Sequence, residues 1–176
     1  MPYCSSDAHM TSTEKIMDDR KIYFHGRSLA FETVTSLIGK KENQIVIFGG
    51  LSAGARGSMV TIDLLAKFLP NSTTLYGLHD SGNYVNISPR DSSQDSFMEQ
   101  CEKAYELYDH PHVNDKCANE YVQDTWKCLC GQYMLPLVET PSQIIFYLYD
   151  SYQLSHNIGN IALFTSCHLF VYFCTT

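Results

Sequence analysis

The stretch that decides the fold is residues 44–57, which read QIVIFGGLSAGARG. Its apolar run at 45–48 is rich in β-branched residues, which predicts a strand buried on both faces. Two glycines end that run, and residues 58–69 can continue as a helix until Pro70 ends it. The sequence therefore predicts a strand, a sharp turn and a helix in direct succession.

The turn matches the G-x-S-x-G nucleophile elbow, with Gly50-Leu51-Ser52-Ala53-Gly54 in the five positions. In such an elbow the serine has a strained backbone, so the residues around it must be small, as Gly50, Ala53 and Gly54 are. We predict that Ser52 is a nucleophile and that the Ala53 N–H forms half of an oxyanion hole. A glycine-rich turn without chemistry has the same pattern, and the motif alone leaves that alternative open.

Size and charge limit the classes of function. The chain has 176 residues, 44% of them hydrophobic and 18% charged, which is typical of one globular domain. The net charge is −7 and the basic residues are scattered, which argues against a nucleic-acid partner. No segment reaches the roughly twenty apolar residues that a membrane helix needs. We expect a monomeric, acidic domain with no membrane span.

Cysteines and glycosylation signals point to the secretory pathway. The chain has seven cysteines and two N-glycosylation acceptors, at Asn71 and Asn86. Residues 1–7, however, have neither the basic nor the apolar region of a signal peptide. The cysteines lack the paired CxxC arms of a zinc site, and we interpret His110 and His112 as solvated loop histidines. We therefore predict no metal.

The remaining pattern predicts an α/β domain over residues 1–176. Residues 1–21 are polar and show no clear strand or helix. Residues 88–133 are polar and rich in cysteine, and we interpret them as a cap or insertion carried on a parallel sheet. The other predicted elements are helices at 27–40, 96–109 and 119–126 and strands at 74–78 and 144–148.

Two carboxylates follow predicted strands, at the sheet edge where ligands bind in α/β folds. Asp80 follows the strand at 74–78 and is either a triad acid, a substrate contact or, as we favour, a turn or helix cap. Asp150 follows the strand at 144–148. The order of serine and then aspartate, each after its own strand, favours Asp150 as the acid of a triad over a simple cap.

The sequence contains two candidates, His156 and His168, for the histidine of such a triad. His156 is only six residues beyond Asp150, too close to follow another strand. His168 lies in the apolar run 161–174, which is either a last strand or an unstructured tail. If His168 followed a further parallel strand, the eighteen residues from Asp150 to His168 would have to contain both a crossover connection and that strand. This is a short distance for both. The residues alone do not identify the histidine.

Several stretches in order resemble the pectin acetylesterase/Notum family of carboxylesterases over roughly residues 2–155. The Tyr149–Leu154 phrase, YDSYQL, is the most specific of them. The other matching pieces are Pro2–Asp7, Phe24-x-Gly26-Arg27, Gly50–Gly54, Asp63, Leu78-x-Asp80-Ser81-Gly82, Lys127-Cys128, Tyr133 and Thr140-Pro141.

The resemblance implies a partial α/β-hydrolase fold, secretory handling, no cofactor and hydrolysis of O-acyl esters on an acetylated polysaccharide or an acylated protein. It assigns Ser52 as nucleophile, Asp150 as triad acid and Ala53 as an oxyanion-hole donor. It also implies a disulfide between Cys117 and Cys128, with Cys130 left over.

The chain departs from the family's pattern at both ends. The first strands and the glycine-rich loop with the family's other oxyanion donors have no counterpart here, and residues 156–176 form a tail unlike the family. Arg56 also replaces a small residue beside Ser52, which places a cation near the pocket mouth. Two hypotheses follow: a serine carboxylesterase, or a truncated and inactive family member with at most a binding role.

Overall fold

A computed structural model describes residues 4–39, 41–91, 93–159 and 169–174, the last of these as backbone only. The helices and strands, in chain order, are β1 Thr13–Met17, β2 Arg20–Phe24, α1 Gly26–Ile38, β3 Ile45–Leu51, α2 Ala53–Ala66, β4 Thr74–Asp80, α3 Phe97–Leu107, α4 Asp115–Glu120, α5 Gly131–Met134, β5 Ser142–Tyr147 and β6 Leu169–Cys174. Short 3₁₀ turns at Thr125–Leu129 and Leu135–Leu137 and a π-helical turn at Gln153–Gly159 complete them.

The main sheet has four strands in the order β3-β4-β5-β6. β3, β4 and β5 are parallel, with Ile45 opposite Thr74 and Gly77 opposite Ser142. β6 runs antiparallel to β5. Because parallel strands end at the same edge, the residues that follow β3, β4 and β5 come together there. The predicted α/β class with a parallel sheet is confirmed.

A second, two-stranded sheet lies where no element was expected. β1 and β2 form an antiparallel hairpin whose turn is Asp18 and Asp19, both with positive φ. Two central residues with positive φ match the right-handed twist of a hairpin, and aspartate tolerates that conformation. The hairpin is mostly exposed, so its strands carry polar residues and lack the apolar alternation that would have revealed them.

The strand–turn–helix unit forms as predicted, but two details differ. α2 begins directly at Ala53 instead of at 58, because the elbow itself starts the helix. β3 is not buried on both faces: the side chains of Ile45 and Ile47 are 73% and 68% exposed. α2 packs against one face of β3 and β4 and leaves the other face, which carries Ile45 and Ile47, uncovered.

The segment at 88–133 contains α3, α4 and two disulfides, which join Cys117 to Cys128 and Cys101 to Cys130. The expectation that Cys130 is left over is therefore wrong, since α3 brings Cys101 to it. The helix predicted at 119–126 is also wrong: α4 ends at Glu120 and the chain turns before the next 3₁₀ helix.

A buried carboxylate ties α2 to the chain that leads into β5. Asp63 accepts hydrogen bonds from the Asn114 amide at 2.5 Å, from the Glu139 N–H at 3.0 Å and from the Thr140 N–H and hydroxyl at 2.9 and 2.7 Å. Four donors to one carboxylate compensate the cost of burying its charge. This contact fixes the start of β5 relative to α2 and hence the position of the residues that follow β5.

No helix among the described residues is long and apolar enough to cross a membrane.

Candidate active site

Ser52 lies at the joint between β3 and α2, with φ 54° and ψ −116°. Positive φ is costly for a serine and persists where the surroundings hold it. The Ser52 N–H donates to the Asp80 carbonyl at 2.8 Å, which fixes the turn to the end of β4. A Cβ on Gly50 would come within 2.5 Å of the Gly54 backbone, so Gly50 must be small. A Cβ on Gly54 would meet nothing within 4 Å, so spatial crowding does not require that glycine.

The Ser52 hydroxyl has a tyrosine as its neighbour. Its Oγ lies 3.3 Å from the Tyr84 hydroxyl, and either atom can donate. Tyr84 is 4% exposed, and its ring lies between Phe97, at 4.8 Å and edge-on, and Tyr152, at 5.5 Å. Burial raises the pKa of Tyr84, so the phenol is protonated at neutral pH.

Asp150 lies beyond the end of β5, at the same sheet edge as Ser52. Its Oδ1 accepts from the Gln153 N–H at 2.8 Å, so the carboxylate caps the turn that follows. Its negative charge also contributes to the raised pKa of Tyr84. Tyr84 is therefore in contact with Ser52 and within electrostatic reach of Asp150.

Asp80 ends β4, opposite Leu51 of β3. Its carboxylate accepts from the Ser81 hydroxyl at 2.7 Å, within its own turn. The backbone carbonyl of Asp80 is the group that holds Ser52. The geometry thus gives Asp80 a place in its own turn and in supporting the elbow, and its role as a substrate contact stays a prediction.

Three of the described histidines lie near the site, each in a different position. His156 stacks on Tyr152 with the ring centroids 4.5 Å apart, and the Tyr152 ring in turn lies 5.5 Å from the Tyr84 ring. His79 is buried beneath the elbow helix and bonds to two serine hydroxyls. His9 lines the same cavity as Ser52. His168 lies outside the described residues.

That cavity has a volume of about 470 Å³ and lies between β3, α1 and the start of α2. Its walls are mostly apolar, and Val34, Phe48 and Leu51 contribute to them. His9 reaches it because the preceding loop is anchored: the buried Asp7 carboxylate accepts from the His9 and Gly26 N–H groups, each at 2.9 Å. Ser52 therefore opens onto a space that is large enough for an organic ligand.

Sequence reasoning missed Tyr84 and His9 as members of the site. Both come to Ser52 through long-range packing, which no local pattern reports. For Tyr84 the sequence contained a weak signal. It lies four residues after Asp80, which ends β4 at the sheet edge where the site was expected. No group of three or more His, Cys, Asp or Glu side chains in the described part of the chain could hold a metal ion.

The sequence of the chain decides its family. A family profile described as Pectinacetylesterase matches residues 1–170. The chain belongs to this family. Among curated pectinacetylesterase relatives, the palmitoleoyl-protein carboxylesterase NOTUM of Drosophila melanogaster is 28% identical over 171 residues, which is 90% of this chain and 25% of that protein. The mouse NOTUM is 26% identical, over 93% of this chain and 34% of its own length.

Plant and structural comparisons agree with this. Pectin acetylesterase 7 of Arabidopsis thaliana is 23% identical over 92% of this chain and 41% of its own length. A crystal structure of the Wnt deacylase Notum from Drosophila superposes with a TM-score of 0.80 at 26% identity, over 89% of this chain and 48% of that one. This family member thus has the Notum fold, an α/β-hydrolase fold, and spans a quarter to two fifths of the length of these curated relatives.

Proposed function

We propose that this chain carries the nucleophile and the acid of a serine carboxylesterase that hydrolyses O-acyl esters. The observation that supports it most is the strained Ser52 backbone at the joint of a parallel strand and the helix that follows it. This geometry raises the hydroxyl above the sheet edge and directs the first N–H groups of α2 to the same place. Family membership supports the reaction class.

In the proposed reaction, the Ser52 hydroxyl attacks the ester carbonyl and a histidine takes its proton. The Ala53 N–H stabilises the negative charge on the carbonyl oxygen, and Asp150 orients the histidine and stabilises its charged form. Water then releases the acyl group from Ser52.

The substrates named for the relatives define two classes for this proposal: an acetylated polysaccharide, as for pectin acetylesterase, or an acylated protein, as for the palmitoleoyl-protein carboxylesterases. The apolar cavity beside Ser52 supports an acyl group as the part of the substrate that is bound. The two disulfides support an oxidising compartment, so we propose that the protein enters the secretory pathway.

A binding role without hydrolysis is the second candidate. It is favoured by the hydrogen bond of Ser52 to a tyrosine in place of an imidazole. In that case the site would hold an acylated ligand without cleaving it.

The purified chain with p-nitrophenyl acetate tests the proposal. We expect a burst of p-nitrophenol followed by slow turnover, and a lower rate with p-nitrophenyl esters that the cavity does not fit. Ser52→Ala removes the nucleophile and should lower kcat by about a thousandfold or more. Ser93→Ala, which removes an exposed serine hydroxyl, is the matched control and should keep full activity.

The two candidates give different results in this assay. Equal hydrolysis by Ser52→Ala and by the unaltered chain would rule out the esterase. Saturable binding of an acylated ligand without release of the acyl group would establish the binding role instead.

A further inference from the structure

We propose that the phenol hydroxyl of Tyr84 donates a hydrogen bond to the oxyanion that forms at Ser52, as the partner of the Ala53 N–H. The inference rests on the proposed esterase reaction and adds a catalytic residue to it. Tyrosine hydroxyls serve as oxyanion donors where they are fixed in position and shielded from water.

The first argument is the position of the hydroxyl. The Tyr84 oxygen lies 3.3 Å from Ser52 Oγ, longer than a typical O–H···O bond, so the contact is loose in the resting site. In the tetrahedral intermediate the oxyanion is bonded to the same carbon as Ser52 Oγ. The phenol can therefore exchange its weak bond to Ser52 for a charge-assisted bond to the oxyanion with a small movement.

The second argument is that the ring is held in place. Tyr84 packs edge-on against Phe97, and the Arg56 guanidinium lies over the Phe97 ring, 4.8 Å from its centroid. Tyr152 covers Tyr84 from another direction. Aromatic neighbours on two sides and 4% exposure preorganise the hydroxyl, so little reorganisation is needed when charge develops.

The third argument is that Tyr84 acts as a hydrogen-bond donor and not as a general base. Burial is the largest cause of the raised pKa of Tyr84, and the negative charge of Asp150 acts in the same direction. A phenol that is harder to ionise does not take the Ser52 proton but can donate its own hydrogen. Tyr84 thus stabilises negative charge while it remains neutral.

The proton and electron balance is that of ordinary acyl transfer. A bond forms between Ser52 Oγ and the acyl carbon, the Ser52 proton goes to the histidine base, and the carbonyl π pair moves onto the carbonyl oxygen. Tyr84 keeps its proton and hydrogen-bonds to that oxygen. When the pair returns to re-form the carbonyl, the alkoxide leaves with the proton from the histidine, and the Tyr84 hydroxyl returns to Ser52.

Binding of a transition-state analogue tests the inference. The probe is 4-phenyl-1,1,1-trifluorobutan-2-one, a trifluoromethyl ketone that adds to a serine hydroxyl and places an oxyanion in the hole. Its dissociation constant is measured by ¹⁹F NMR for the unaltered chain, Tyr84→Phe and Tyr133→Phe. Tyr133 packs against the same aromatic cluster as Tyr84, so its variant is the control for loss of a phenol oxygen nearby.

We expect Tyr84→Phe to weaken the adduct about ten- to a hundredfold, and Tyr133→Phe to bind as the unaltered chain does. For p-nitrophenyl acetate, kcat should fall with KM little changed, because the hydrogen bond to the oxyanion exists only in the transition state.

An adduct that depends on Ser52 but is equally tight in Tyr84→Phe would overturn the role of Tyr84 and leave the esterase proposal standing. No adduct on Ser52 in the unaltered chain would overturn both. Thermal unfolding of Tyr84→Phe, followed by circular dichroism, shows whether the variant retains the fold in which binding is compared.

Discussion

His79 is a titratable residue that is fully buried in the main sheet. Its ring is fully buried in β4, with Nδ1 2.8 Å from the Ser58 hydroxyl of α2 and Nε2 3.2 Å from the Ser142 hydroxyl of β5. It therefore connects the elbow helix to two strands of the sheet. Burial lowers its pKa to about 4, because a charged imidazole is poorly solvated there.

This shift predicts how stability depends on pH. In the unfolded chain His79 has the ordinary histidine pKa of about 6.5, whereas burial in the fold lowers this pKa to about 4. Between these values the unfolded state binds more protons, so the free energy of unfolding falls as the pH is lowered through this range. We expect the contribution of His79 to the free energy of unfolding to be fully present above pH 6.5. At pH 4 it should have fallen by about 3 kcal/mol.

Urea unfolding of the chain at several pH values between 4 and 7 measures this. The His79→Gln variant cannot titrate at this position. Its free energy of unfolding should therefore depend less steeply on pH than that of the unaltered chain, whatever its absolute stability. His112→Gln, which removes an exposed ring, should keep the slope of the unaltered chain. Identical slopes for His79→Gln and the unaltered chain would show that another group is responsible.

Between elements, α2 packs closely against the N-terminal loop. A Cβ on Gly57 would lie 1.9 Å from the Ala8 carbonyl oxygen and 3.0 Å from the His9 Cβ. The backbone of the N-terminal loop contacts α2 at this glycine, so a side chain at position 57 can be accommodated only if the loop moves. This loop carries His9 to the cavity beside Ser52.

Gly57→Ala should therefore destabilise the fold by about 1–3 kcal/mol, the usual cost of overpacking. Gly54→Ala is the matched control, since the same helix offers open space there. It should gain up to about 1 kcal/mol because alanine has the higher helix propensity. Thermal unfolding of the two variants measures the difference, and equal melting temperatures would contradict the contact at Gly57.

What the sequence could predict was local. The strand, elbow and α2 follow each other within 44–66, so apolar pattern and glycine positions were enough to find them. α3 begins one residue after its predicted start, because Ser96 and Glu99 form a capping box. Gly39 closes α1 with φ 57°, also as its sequence indicates.

What the sequence could not predict was long-range. The bond between Cys101 and Cys130 depends on how α3 packs, and the spacing of cysteines does not specify their pairing. The contact of Tyr84 with Ser52 joins residues 32 positions apart. The assignments of Ser52, Ala53, Asp80 and Asp150 to chemical roles remain predictions, and the Ser52→Ala variant tests the first of them.

For the described residues as a whole, the prominent feature is the apolar face of the main sheet that none of them covers. The apolar side chains on it are Ile45, Ile47 and Leu51 of β3 and Tyr76 and Leu78 of β4, all of them exposed. Near the end of β3 a depression of about 380 Å³ has Ile47, Leu51 and Leu78 in its walls. Contiguous apolar surface of this kind is rare on monomeric soluble proteins.

A folded chain with this surface should bind the dye 8-anilinonaphthalene-1-sulfonate, which fluoresces in apolar surroundings. Ile47→Lys places a charge in the centre of the face and should lower the fluorescence severalfold, while the side chain, already 68% exposed, costs little stability. Leu37→Lys makes the same kind of change at an exposed leucine of α1 and should leave the fluorescence as it was. The measurement is made well below the unfolding temperature, with far-ultraviolet circular dichroism to show that each variant is folded. Equal dye binding by all three chains would mean that the dye reports some other surface and that the sheet face is covered in solution.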